Sequence, residues 1–182
     1  MGENNTELRL SGSGGQGLIL AGIIIADAAI RDGKNSVQSQ SYGPEARGGA
    51  SRSEVIISNE EIDYPRVARP DVLLAMSQEA CDKFADGLEQ GGVLIVDSTY
   101  VYDRPAVEGV VYALPISRAA REQLGREIVA NVVALGVVTR ITGVVSQGSL
   151  TEALLARVPR GTEELNKKAL DVGWQLAEQV LN

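Results

Sequence analysis

Two glycine-rich segments hold most of the residues in this sequence that could do chemistry. The first is Gly12-Ser13-Gly14-Gly15-Gln16-Gly17; the second is Tyr42-Gly43-Pro44-Glu45-Ala46-Arg47-Gly48-Gly49. Residues 8–11 read as a short strand ahead of the first segment. The apolar residues 18–30 behind it are long enough for a helix that Asp32-Gly33 would end. Strand, glycine loop, helix is the order in which backbone N–H groups and a helix N-terminus can face an anion. Glycine leaves no side chain between backbone and ligand and accepts positive φ. Gly12, Gly14, Gly15, Gln16 and Gly17 are therefore candidate binding residues. The second segment cannot be regular structure, and it offers one aromatic, one acid and one base: Tyr42, Glu45 and Arg47, with Gly48 and Gly49 beside them. The plainer reading of it is a surface turn with solvated charges.

Gly12, Gly14 and Gly17 fit G-x-G-x-x-G, a weak signal alone. A dinucleotide site also wants a carboxylate about 20 residues on, at the end of the second strand, to hold a ribose. That neighbourhood reads Ser36-Val37-Gln38-Ser39-Gln40-Ser41, with no acid. Three readings stay open: a packing turn between strand and helix, a nicotinamide-dinucleotide site, or a loop facing a phosphate, a cofactor edge or a partner subunit.

Composition narrows the chemistry further. A chain of 182 residues suits one domain and buries a core without staples. Its net charge of −7 argues against a nucleic-acid surface. One cysteine and no histidine exclude a disulfide framework, a cysteine-ligated cluster and the usual zinc sites within this chain, and remove the commonest general base. Cys81, beside Glu79 and Asp82, reads as packing rather than as a nucleophile. The polar N-terminus lacks a signal-peptide pattern, and residues 18–30 and 128–143 are short for a membrane span, so the expectation is a cytoplasmic protein.

Among the elements that must position these residues, 36–41 and 51–58 read as strands, with a short return beginning at Ile62. Residues 71–76 and 93–97 are apolar runs of strand length, expected to be covered on both faces. Between them Ser77 caps a helix carrying Ala80, Phe84 and Leu88, ended by Gly91-Gly92. Asp97 falls at a strand end, where it is either a ligand residue or a turn and cap residue. Strand 110–114 follows. Then come helices capped by Ser117, over 128–142, opened by a Ser149-Leu150-Thr151-Glu152 capping box, and capped by Thr162. Trp174 reads as core. The alternation gives an α/β domain with a mostly parallel sheet and an α-helical C-terminal third. The whole is read as a single domain, 1–182, with sheet core 1–115 and helical portion 116–182. Residues 18–30 are apolar almost all round, so either the C-terminal helices or another subunit must cover them.

Together, the two glycine segments resemble the gamma subunit of 2-oxoacid:ferredoxin oxidoreductases. Pro70-Asp71-Val72-Leu73-Leu74-Ala75-Met76, Gly91-Gly92-Val93-Leu94-Ile95-Val96-Asp97 and Asn131-Val132-Val133-Ala134-Leu135-Gly136 agree with that likeness, which spans nearly the whole chain. Tyr42-Gly43-Pro44-Glu45-Ala46-Arg47-Gly48-Gly49 is most similar to the 2-oxoglutarate branch. The resemblance implies a Rossmann-like three-layer sandwich in a multi-subunit enzyme that oxidatively decarboxylates a 2-oxoacid to an acyl-CoA, with electrons passed to ferredoxin. It implies thiamine diphosphate on alpha and beta subunits and iron–sulfur clusters on beta and delta subunits. This chain would bind no cofactor alone, contribute no catalytic residue and be inactive in isolation. Its glycine amides and Arg47 would hold an anion such as the coenzyme A phosphates or a substrate carboxylate, while Glu45 pairs with Arg47 or a neighbouring subunit. The alternatives are a purely structural assembly subunit and a stand-alone nucleotide-binding protein.

Overall fold

The computed structural model describes residues 5–40 and 49–181. Six strands form one sheet: β1 (Asn5–Ser13), β2 (Asn35–Gln40), β3 (Ala50–Ser58), β4 (Val72–Ala75), β5 (Val93–Asp97) and β6 (Val110–Leu114), in the order β2-β3-β1-β4-β5-β6. The β1–β4, β4–β5 and β5–β6 pairings are parallel, as expected from the apolar runs that form them. The antiparallel exception is β3, which lies between β1 and β2 and pairs with both. Sequence order gave no sign of this insertion, because it arises from long-range pairing. The return strand expected at Ile62 is absent among the described residues: Pro65 and Pro70 punctuate an irregular segment there.

Helices cover both faces. α1 (Leu18–Arg31), α3 (Ile116–Leu124), α4 (Ala130–Thr142), α5 (Gln147–Leu155) and α6 (Glu163–Leu181) share the larger core with one face of the sheet. On the other face α2 (Gln78–Phe84) and a following 3-10 turn bury Leu73, Ala75, Leu94 and Val96 with Phe84, Leu88 and the free Cys81. Ser77 Oγ caps α2 by accepting from Ala80 N at 3.3 Å. Cys81 is packing, as its neighbours implied. Trp174 is half-buried against the larger core.

Three helix starts differ from expectation, two of them because a nearer group satisfies the leading N–H groups. α5 begins one residue after Ser146, whose Oγ accepts from Ser149 N at 3.2 Å; Ser149 is the capped residue, not the cap. Ser117 lies inside the first turn of α3 and is itself capped from β5. The apolar helix starts at Ala130 behind a 3-10 turn over Glu127–Val129.

C-terminal helices supply much of the cover that α1 needs. α5 packs on it, and Asp32 at its end accepts from Ser146 N at 2.6 Å and Ser146 Oγ at 2.7 Å. Burial opposes ionisation of Asp32, yet bonds from Ser149 and Ser146 outweigh it and hold the carboxyl below its usual range. Leu20 and Ile30 remain exposed.

α4 and α6 cross at Gly136 and Gly173. A Cβ on Gly136 would lie 2.6 Å from the Leu170 carbonyl, and one on Gly173 would strike the Val133 carbonyl and lie 2.9 Å from Gly136 Cα. Gly173→Ala is therefore expected to cost about 1–3 kcal/mol through overpacking. Gly148→Ala, in α5 with open space where the added methyl would point, is expected to stabilise by up to about 1 kcal/mol. Urea denaturation of the two variants checks both signs.

Candidate functional site

β1 leads through α1 to β2 on one side, while β4 lies on the other side of β1. The crevice at the C-terminal ends of β1 and β4 is thus a switch point, where open α/β sheets meet ligands. Gly14, Gly15, Gln16 and Gly17 fall in the turn that closes this crevice, and Gly12 lies just before it, inside β1 and paired with Ser51. Gln16 spans it. Its Oε1 accepts from Ser13 N at 2.7 Å, and its Nε2 donates to the Met76 carbonyl at 3.2 Å beyond β4. Gln16 therefore holds the turn in shape with both ends of its amide.

The glycines are required by geometry. A side chain on Gly12 would overlap Gln16 Oε1 and meet Leu18 Cδ1 at 2.8 Å. Gly17 has φ 74° and faces Asn131, whose Nδ2 donates to the Gly17 carbonyl at 3.3 Å; a Cβ there would sit 2.5 Å from that nitrogen. Gly15, at φ 91°, and Gly14 are exposed. No described side chain caps α1, and its first turn carries no acid. Its leading N–H groups thus point out of the turn without a side-chain acceptor among the described residues.

α3 reaches the same edge with its N-terminus already satisfied. Asp97 is fully buried; its Oδ2 accepts from Ser117 N at 3.1 Å and its Oδ1 from Thr99 N at 3.0 Å, while Thr99 Oγ1 accepts from Arg118 N at 3.1 Å. Of the two readings of Asp97, the structure supports turn and cap.

Two adjoining clefts open beside the glycine turn. One of about 160 Å³ is lined by Gly15, Gln16, Met76, Ser117, Glu127, Ile128 and Ala130. The other, about 390 Å³, shares Gln16, Met76 and Glu127 and adds Ser13, Ser77, Gln78, Glu79, Tyr100 and Tyr102. Tyr100 donates from its hydroxyl to Glu127 Oε1, and Arg121 Nη1 donates to Glu127 Oε2 at 3.0 Å. The bond to Glu127, then burial and the Glu127 charge, push the Tyr100 phenol above its usual range, with Arg121 opposing. Gln78 pins the loop after β5: its Oε1 accepts from Tyr102 N at 3.0 Å and Asp103 N at 3.1 Å, and its Nε2 donates to the Asp103 carbonyl at 2.7 Å.

Sequence reasoning missed Gln78, Tyr100, Tyr102 and Glu127. The two tyrosines follow β5 within a few residues, so the strand-end rule that singled out Asp97 could have extended to them. Glu127 reaches the cleft only because the α3–α4 turn returns to this edge, and no local pattern encodes that. Of the second glycine segment, Tyr42, Glu45, Arg47 and Gly48 lie outside the described residues. Gly49 is half-buried and precedes Ala50. The segment's anchors are nonetheless placed: Ala50 pairs with Ser13, and Gln40 pairs with Ser53, both at the edge that carries the glycine turn.

Cys81 is buried, and burial followed by the Asp82 charge pushes its thiol up. With one such cysteine and no histidine, an iron–sulfur cluster does not fit this chain. No described helix is long and apolar enough to cross a membrane.

A mixed sheet covered by helices on both faces, with a glycine turn leading into an uncapped helix at its switch point, defines an open α/β domain. The chain belongs to the pyruvate ferredoxin/flavodoxin oxidoreductase family, whose model matches residues 7–176. It is 50% identical over 177 residues to the 2-oxoglutarate synthase subunit KorC of Methanocaldococcus jannaschii, covering 96% of this chain and 95% of that one. A crystal structure of a keto/oxoacid ferredoxin oxidoreductase gamma subunit from Geobacter sulfurreducens superposes with a TM-score of 0.87 at 53% identity, over 96% of this chain and 99% of the other. A 2-oxoglutarate:ferredoxin oxidoreductase from Magnetococcus marinus, with 2-oxoglutarate, coenzyme A and succinyl-CoA bound, matches at 27% identity and a TM-score of 0.86, over 97% of this chain and 32% of that one. The gamma-subunit resemblance is borne out.

Two outcomes follow from the site geometry. Asp97→Asn sets an NH₂ group against a backbone N–H and is expected to cost about 1–3 kcal/mol in thermal or urea unfolding. The Tyr100–Glu127 bond is complete below the ordinary phenol pKa of about 10 and is lost as pH rises through the higher folded value. NMR titration of labelled tyrosine is expected to show Tyr100 ionising late, and Glu127→Gln bringing it down.

Proposed function

We propose that this chain is the gamma subunit of a 2-oxoglutarate:ferredoxin oxidoreductase and that its glycine turn binds the phosphates of coenzyme A. The reaction takes 2-oxoglutarate and coenzyme A to succinyl-CoA and carbon dioxide, with two electrons leaving to ferredoxin. Thiamine diphosphate supplies the carbanion chemistry, and it and the clusters belong to the alpha, beta and delta subunits. The observation that carries the reading for this chain is the uncapped start of α1 behind Gly15 and Gly17, at the sheet's switch point. The solved Magnetococcus relative that holds coenzyme A supports it.

The turn acts by position. Its amides are oriented before any ligand arrives, because Gln16 and Asn131 fix the turn from β4 and α4. The ionisable side chains of the two clefts are Glu79, Glu127, Tyr100 and Tyr102. None is a cation, so a charged partner for the phosphates must come from elsewhere. Arg47, in the segment that connects Gln40 to Gly49 at this edge, is assigned that role. A stand-alone dinucleotide site is disfavoured, because β3 separates β2 from β1 by two strand spacings, about 10 Å, and β2 ends without an acid.

In the reconstituted complex, Arg47→Ala is expected to raise the KM for coenzyme A about tenfold or more while the subunits stay assembled. Unchanged kinetics would sink the phosphate-binding role. Kinetic loss that tracks dissociation of the subunits would instead support a purely structural clamp.

A further inference from the structure

The most exposed large apolar side chains among those described are Tyr102 and Ile128, at 84% and 83%. They stand on the rims of the two adjoining clefts, Tyr102 after β5 and Ile128 in the turn before α4. Neither is on a slack segment. Gln78 binds the backbone on both sides of Tyr102, and Glu127, next to Ile128, is held by Tyr100 and Arg121. An exposed aromatic and an exposed isoleucine on backbone that is already fixed lose little further freedom on docking, which favours their use as anchors.

From this we infer that the rim formed by Tyr102 and Ile128 is the docking face for another subunit of the same oxidoreductase, one presenting an apolar segment that carries a lysine or arginine. This docking face rests on the gamma-subunit reading above. The charge around the rims selects the occupant. Glu127 is already neutralised by Arg121, but Glu79 is exposed in the larger cleft with Tyr102, and no Lys or Arg among the described residues lines either cleft. A second copy of this chain, itself at net charge −7, would set Glu79 against its own counterpart about a two-fold axis. A basic segment reaching the larger cleft pairs with Glu79 and covers the apolar side chains together.

The test uses the full complex, with this subunit's dissociation constant for the remaining subunits measured directly. Tyr102→Ala combined with Ile128→Ser is expected to weaken that affinity tenfold or more. The isolated variant should keep its wild-type melting temperature, since both side chains are solvent-facing. Glu79→Lys is expected to weaken assembly at low salt, with the loss shrinking as ionic strength rises. Affinity within twofold of wild type for the double variant overturns the proposal. So does intact assembly with a raised KM for coenzyme A, which would make the rim a ligand wall, and so does self-association of the isolated chain that the double variant abolishes. If the wild-type chain itself fails to join the other subunits, the gamma-subunit reading falls instead.

Discussion

The unbroken antiparallel register between β1 and β3, from Asn5↔Ser58 to Ser13↔Ala50, is the constraint on which the rest of the structure depends. It carries a buried pair at its centre: Arg9 faces Glu54, with Nε to Oε1 at 2.8 Å, and the Arg9 guanidinium lies 5.5 Å from the Phe84 ring centroid. A slip of two residues would set Arg9 against Arg52 or Ile56 and leave a buried charge without its partner. Breaking such a pair costs about 3–5 kcal/mol, more than a slipped ladder could recover. A slip of one residue would turn Val55 and Ile57 out of the larger core. The register is therefore held by charge on one face and by apolar burial on the other.

That register has a consequence for chemistry. Because β3 ends its pairing at Ala50 beside Ser13, the connection from β2 begins and finishes at the edge where the glycine turn lies. Backbone pairing alone thus brings the flanking residues Gln40 and Ala50 to the edge of a turn nearly thirty residues away in sequence. The same insertion moves the end of β2 away from the turn. It leaves the glycine turn without the neighbouring strand end that holds the ribose in a dinucleotide site.

Much of this was legible in the residues. The strand–turn–helix at 8–30, the doubly covered strands ending in Met76 and Asp97, and the Ser77 cap are local, and each is written in pattern or spacing. The need for cover over α1 is equally plain from its apolar sides, and α5 meets it in large part. What could not be read was pairing across distance. Nothing in residues 50–58 distinguishes an inserted antiparallel strand from a parallel neighbour, since its Val55-Ile56-Ile57 run is apolar on both sides. The cleft was hidden for the same reason: Glu127 and Tyr100 meet only after α3 has folded back across the sheet. Asp97 shows the converse, a strand-end acid whose buried carboxylate is taken up by two backbone N–H groups.

The start of α1 has no side-chain cap, and magnitudes explain why that is tolerated. A capping side chain would contribute about 1 kcal/mol. Fully buried Leu or Ile side chains contribute about 1.5–3 kcal/mol each, and α1 buries Leu18, Ile24 and Ile25 together with four alanines. The helix is fixed by its flanks, so its first N–H groups need not be satisfied internally. At α3 the arrangement is the opposite: Asp97 and Thr99 close the terminus, although it opens on the same edge. α3, like α2 behind Ser77, is sealed, while α1 is left facing out behind Gly15 and Gly17, both at positive φ. The open helix start presents fixed backbone dipoles, held in place by Gln16 and Asn131, at the C-terminal edge of the sheet.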